Sequence, residues 1–462
     1  DIPEGYDVVF NTNKKSGTPK MKVLKPIKDD PDNPFGASIK ANGQSTYIGE
    51  DGKEHLSPIN KLKEEGDWDT MAKNLSSQFL SKQPVKLLKQ QLDLTVADRK
   101  AEYDEIMQYD NPTIRKKLLL DFADTCEGNS MTLKASSFPG QATKVILPLS
   151  KIGERECYCP TYPDGTQLAL VRFPHAGTFE IPIVTVNNKN LSGRRNLGNV
   201  QDAIGINAKV AERLSGADFD GDTVVAIPKS SKVDIKSTPA LKDLKDFDPK
   251  IAYAVPEGNP NGVRLMKKEE KQKEMGIISN LITDMTLRGA PEGDIARAVK
   301  HSMVVIDAEK HKLDYKRSER ENGIQELKQK WQIRVQEDGT EKYGGASTLL
   351  SRRKQTVRVP ERKGSARIDK ETGEKIYKES GRTYIDPKTG KRVQAMTEVS
   401  LISMHPNARD LSSGTIQENY YADFSNELKA LANQARKEAV NMKGIQKSPD
   451  AAEKYRAEVE SI

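Results

Sequence analysis

The stretch SGADFDGDTVV, residues 215–225, sets Asp218, Asp220 and Asp222 at alternate positions, with Gly221 between the last two. Alternate residues of a strand share a face, so three carboxylates would stand on one side. Gly221 lets the backbone bend, so that they can converge. Converged carboxylates repel one another unless a cation sits among them. An all-oxygen donor set with no His or Cys nearby selects a hard metal, magnesium above all. A calcium loop of EF-hand type, counted from Asp218, needs Gly at its sixth place and Glu at its twelfth. Thr223 and Lys229 stand there, which excludes it. The plainer alternative is an exposed acidic turn. The apolar runs FEIPIVTV and TVVAIP on either side point instead to a loop anchored on a core, and so to a metal site.

Between about residues 140 and 230, KVILPL, LALVRF, FEIPIVTV and TVVAIP read as short strands separated by Gly, Pro and Asn turns. GNVQDAIGINAKVAERLSG reads as one helix among them, closed by Gly216 at its C-cap. Several short strands and a helix within this span predict a compact barrel or a small mixed sheet. Upstream, residues from Ser57 to about Glu127 repeat apolar side chains at helical spacing, predicting several short helices with Thr95 and Asn111 as N-caps. Pro112 stands at the first helical position behind Asn111. Helical spacing returns from Leu265 to Val335, and again in NELKALANQARKEAVNMK.

The whole chain of 462 residues is long enough for two to four domains. It is 31% charged and 35% hydrophobic, and no apolar run approaches the ~20 residues of a membrane span. The opening DIPEGYDVVF lacks the basic-then-apolar order of a secretory signal. A net charge of +7 permits a polyanionic partner without requiring one. Cys126, Cys157 and Cys159 suit a reducing compartment, and Cys-x-Cys with no second ligand pair gives no zinc site.

GADFDGDTVVAIP resembles the Asn-Ala-Asp-Phe-Asp-Gly-Asp signature of the largest subunit of multisubunit RNA polymerases. It also resembles the Asp-x-Asp-Gly-Asp motif of cellular RNA-dependent RNA polymerases and of single-chain phage polymerases built on two double-psi β-barrels. Gly216 in place of Asn leans toward the single-chain branch. Upstream, LVRFPHAG is similar to the family's Arg-x-Pro segment; downstream, EMGIISNLITDM and VKHSMVVIDAEKHKLDY are similar to the helices after its barrel, where the bridge helix lies. The resemblance covers roughly residues 140–330 and implies an α+β fold, a double-psi β-barrel catalytic domain flanked by helical blocks with a basic hairpin or arm near the C-terminus. The expected organisation is 1–56 rich in strands and turns, 57–135 helical, 136–232 the barrel, 233–335 helical, 336–395 the basic arm and 396–462 the C-terminal helical region.

What the resemblance implies is nucleotidyl transfer, with ribonucleotides added to an RNA 3′ end on a nucleic-acid template. Asp218, Asp220 and Asp222 would hold magnesium as the catalytic and metal-binding set, while Arg172, Pro174 and Gly221 would contact substrate. Such chemistry rests on charge neutralisation by two metals and asks little of other side chains. His175 and His301 fall near the site but read better as structural histidines.

A complete enzyme of this kind has a second barrel that supplies lysines. Lys14, Lys15, Lys20 and Lys22 are candidate phosphate contacts, a solvated turn being the equal alternative, and another chain or an N-terminal part is the alternative source of that barrel. Arg352, Arg353 and Lys354 open the basic stretch, which reads as a nucleic-acid contact through counterion release or as a solvated hairpin. The expected partners are template, RNA product and ribonucleoside triphosphates, with no membrane. The expected location is a bacterial host's cytoplasm or a phage virion. Two rival readings are a virion or structural protein that keeps the barrel without synthesis, and a magnesium-dependent nuclease, which would leave the Arg172 segment unexplained.

Overall fold

A computed structural model describes residues 9–11, 21–23, 46–48, 51–56, 68–214, 217, 219, 221–336, 338–444 and 447–460. The chain divides into two units, the first made of residues 1–87 and 137–331, the second of 88–136 and 332–462.

The first unit is built on a closed six-stranded barrel. Its strands are β1 (Ala142–Pro148), β2 (Glu156–Tyr158), β3 (Gln167–Val171), β4 (Ile183–Val186), β5 (Ala203–Ile206) and β6 (Thr223–Pro228). The order around the barrel is β4-β2-β5-β1-β6-β3, closing back onto β4. The pairs β2/β4 and β1/β5 are parallel and the rest antiparallel. This pairing has a hidden two-fold: moving every strand three places along the chain turns β2/β4 into β5/β1 and β1/β6 into β4/β3. It returns β2/β5 and β3/β6 to themselves.

Period-two patterning fills the barrel. Leu168 and Leu170, Val184 and Val186, Ile204 and Ile206, and Val224 and Ala226 point inward together with Ile146, Cys157 and Phe219. Val145, Leu149, Tyr158 and Ala203 form a second cluster with Leu197 and Val200.

The helix expected over 198–216 is corrected here. Residues 203–206 are the parallel neighbour of β1, and only Ala208–Glu212 is helical, capped by the Asn207 side chain. Burial of Ile204 and Ile206 in the barrel overrides the local helical pattern. Gly205 suits the site because a Cβ there would come within 2.4 Å of Leu149.

After a single helical turn at Pro249–Ala252 come α3 (Lys268–Leu287), α4 (Glu292–His311), α5 (Tyr315–Glu321) and α6 (Ile324–Trp331). Ile278, Leu281, Ile282 and Met285 of α3 pack with Ala296, Ala298 and Val299 of α4 and Leu327 of α6. Ala176 and Phe179, which follow β3, belong to the same core and tie the barrel to the helices.

In the second unit lie most of α1 (Val85–Met107), α2 (Pro112–Thr132) and α7 (Ile416–Asn441). Asn111 caps α2, its side chain accepting from the amides of Thr113 and Ile114, with Pro112 first in the helix. Thr95 is not a cap. It lies inside α1, which runs unbroken where two short helices were expected, and its hydroxyl donates to the Gln91 carbonyl. Past Arg352 the basic stretch folds as nested hairpins. Thr356–Pro360 pairs with Met396–Ser400, and between them Arg367–Ile368 pairs with Lys375–Ile376 and Thr383–Ile385 with Arg392–Gln394. Among the described residues no helix is long and apolar enough to cross a membrane.

Candidate active site

β3 ends at Val171 and its antiparallel neighbour β6 begins at Thr223, with Val171 opposite Val225. Arg172 therefore leaves the barrel where Asp222 enters it. The guanidinium Nη2 lies 3.0 Å from each Asp222 carboxylate oxygen. The acid is 5% exposed, so its charge is balanced by the arginine rather than by bulk water. Its own carbonyl accepts from the Ile146 amide of β1 at 3.0 Å. Ala217 and Phe219, on the stretch leading to Asp222, are fully buried in the barrel core. Gly221 has φ +114°, a left-handed conformation that a side chain would strain. Asp218 and Asp220 lie outside the described residues, as do Gly216, Lys14, Lys15 and Lys20.

The Arg172 segment is clamped along its length. Pro174 follows Phe173 through a cis peptide bond. The His175 carbonyl accepts from Gln78 Nε2 at 2.9 Å and from Lys82 Nζ at 3.0 Å, and the Ala176 carbonyl accepts from the same Nζ at 2.7 Å. The Ala176 amide donates to Glu180 Oε2 at 2.7 Å. Gln78, Lys82 and Glu180 are thus positioning residues. Lys82 and Gln78 sit in a stretch whose sequence shows only helical spacing.

Asp202 was also missed. Its carbonyl accepts from Val145 at 2.8 Å, one residue before the Ile146 amide that serves Asp222. The two acids enter β5 and β6 on either side of β1, and Asp202 is 6% exposed. Lys144 beside them is 3% exposed, and its ammonium donates to Thr161 Oγ1 and the Gln201 carbonyl.

Both histidines are structural. His301 Nδ1 shares a hydrogen bond with Ser318 Oγ at 3.0 Å, and burial pulls its pKa down to about 4. The His175 ring is buried against Phe79, with neither nitrogen hydrogen-bonded to a described residue, and burial holds its pKa well below the ordinary range.

The remaining described candidates belong to other segments of the chain. Lys22 falls in the strand Met21–Val23, opposite Phe10. Arg352 ends the helix Leu349–Arg352, capped by Thr348. Arg353 Nη1 reaches the Leu350 carbonyl at 3.4 Å, and burial lowers its pKa. Lys354 is exposed. In the hairpins, the Arg362 guanidinium stacks on Tyr377, 3.6 Å from the ring centre, and Tyr384 is exposed.

No family model matches this chain, and no curated protein matches it. Among solved structures it is similar to the RNA dependent RNA polymerase QDE-1 from Thielavia terrestris, at 16% identity and a TM-score of 0.33. The similarity covers 46% of this chain, which spans about a quarter (27%) of the length of that polymerase chain.

Asp222 offers oxygen donors of the kind a hard cation takes, in a buried position and beside a fixed positive charge. Among the described residues no three acids, histidines or cysteines form a metal cluster, and Asp222 is the one acid of the motif so described.

Proposed function

We propose that this chain is an RNA polymerase-type nucleotidyltransferase, with Asp218, Asp220 and Asp222 as magnesium ligands, adding ribonucleotides to an RNA 3′ end on a nucleic-acid template. One observation carries the reading: the Arg-x-Pro segment and the aspartate motif, fifty residues apart, meet in an ion pair whose acid is buried. An acidic turn in solvent has no such partner, and a nuclease reading gives Arg172 no part. The two-fold strand pairing supports a double-psi barrel.

When bound, magnesium would neutralise charge on the triphosphate and on the in-line oxygens. The chain's own residues set the stage for this. Arg172 holds the buried Asp222 carboxylate in place through its guanidinium. The clamp from Lys82 and Gln78 holds the Arg172 segment, so that the guanidinium can also meet a nucleotide sugar. Gly221 permits the bend that brings Asp222 round. The second barrel, on another chain or in an N-terminal part, belongs to the proposal, as do the phage origin and the template.

Labelled ribonucleotide incorporation on primed single-stranded DNA and RNA, with magnesium, tests this reading. Template-dependent extension that disappears in Asp220→Ala supports it. Degradation of the primers supports the nuclease instead. A folded chain that extends nothing, with or without a partner carrying the second barrel, leaves a structural role.

A further inference from the structure

A cavity of about 420 Å³ opens on the side of the barrel, and it shares no residue with the Arg172–Asp222 pair. Arg155, Gln167, Thr185, Lys209 and Arg213 line it, together with Glu154. Three cations against one carboxylate leave a net charge of about +2 in a space of ligand size.

Each cation is differently committed. Lys209 is paired with Glu154, which leaves two ammonium protons free. Arg213 is held from behind: its Nη2 donates to the Thr238 carbonyl at 3.0 Å and reaches the Ile181 carbonyl and Ser237 Oγ at 3.4 Å. Among the described residues its buried Nε has no acceptor and no carboxylate is paired with it, and burial lowers its pKa. A half-buried guanidinium without a counter-charge is costly, and an incoming anion would relieve that cost. Arg155 is exposed, and its side chain makes no hydrogen bond or ion pair with a described residue. The side chains of Thr185 and Gln167 are likewise without a partner among the described residues.

We infer that this cavity binds a phosphate monoester, with the phosphate between Arg155, Arg213 and Lys209 and its organic part against Thr185 and Gln167. A dianion matches the net charge of the site where a single carboxylate would not, and guanidinium pairs suit its oxygens. Phosphate alone would fill a small part of the volume, so an attached sugar or nucleoside has room. The inference stands on this cavity and does not depend on the polymerase reading.

Calorimetric titration at low ionic strength tests it, with inorganic phosphate, ribose 5-phosphate and adenosine 5′-monophosphate as probes. At least one ester is expected to bind one per chain, more tightly than inorganic phosphate. Arg155→Ala is expected to weaken it about tenfold through loss of a charge-assisted hydrogen bond, and Arg213→Gln to abolish it. Arg213 also anchors neighbouring backbone, so misfolding of its variant decides nothing, whereas the exposed Arg155 side chain holds no described residue and keeps the test valid. A monophosphate that outbinds the sugar phosphate names a nucleotide as the ligand; equal binding names phosphate esters at large. Absence of binding by all three probes, or affinities that Arg155→Ala leaves unchanged, overturns the inference.

Discussion

Arg172 directly follows β3 and Asp222 directly precedes its antiparallel neighbour β6, with Nη2 3.0 Å from both carboxylate oxygens and the acid nearly sealed from water. Removing the arginine alone takes the paired cation away from a buried carboxylate. Arg172→Gln should therefore destabilise the first unit by about 3–5 kcal/mol, and Arg172→Gln with Asp222→Asn by much less. Urea denaturation of the two single variants and the double variant measures the coupling. Additive effects would show that the pair is energetically idle.

Gly221 should resist any side chain. At φ +114° an alanine is strained by roughly 1–3 kcal/mol, and relief of that strain moves Asp222 off Arg172. Gly221→Ala should lower the melting temperature and reduce incorporation more than stability alone explains. An unchanged protein would mean that the bend is not required.

His301 gives the fold an acid-side limit. Its pKa falls from the ordinary 6.5 to about 4 on burial, so the unfolded chain binds the proton more readily than the folded one. Stability from this group is complete above pH 6.5 and is lost as pH falls toward 4, by about 3 kcal/mol at most. His175, also shifted downward, acts in the same direction. Urea midpoints over pH 7 to 4.5 should fall less steeply in His301→Gln than in the wild type, when each is referred to its value at pH 7. Parallel slopes would contradict this.

In the second unit, Glu127 on α2 bridges two cations, Arg436 of α7 at 2.5 Å and Lys375 of a hairpin at 2.6 Å. Arg436 is 3% exposed. Glu127→Ala leaves the two cations sharing Asp124, 3.0 Å from Lys375 and 3.6 Å from Arg436, and should cost about 1–2 kcal/mol, allowing for the partial exposure of the acid. Thermal unfolding of Glu127→Ala beside Glu127→Gln reads the charge effect. Equal melting temperatures for both variants and the wild type would make the bridge incidental.

Strands with strong β-branched alternation were legible in the sequence, TVVAIP to its last residue, because local preference and barrel burial agree there. The Asn111–Pro112 helix start was legible because the cap and the proline are local signals, met within the first turn. What the sequence hid was decided by distant contacts. QDAIGI carries a helical pattern, yet Ile204 and Ile206 are captured by the barrel, and the mistaken helix concealed Asp202 at the entry to β5. Lys82 looks like any helical lysine until the fold brings it under two carbonyls more than ninety residues away. The two-fold of the barrel leaves no repeat in the sequence, since strand pairing constrains burial and leaves residue identity free. The meeting of Arg172 with Asp222 could be expected only from the resemblance, because the register of β3 against β6 is what joins them.

Manganese binding followed by electron paramagnetic resonance tests the central claim most directly, since it needs neither template nor second barrel. The account predicts one manganese ion per chain, displaced by magnesium, lost in Asp220→Ala and weakened in Asp222→Asn. A folded wild-type chain that binds no manganese, or one that Asp220→Ala matches in affinity, would contradict it.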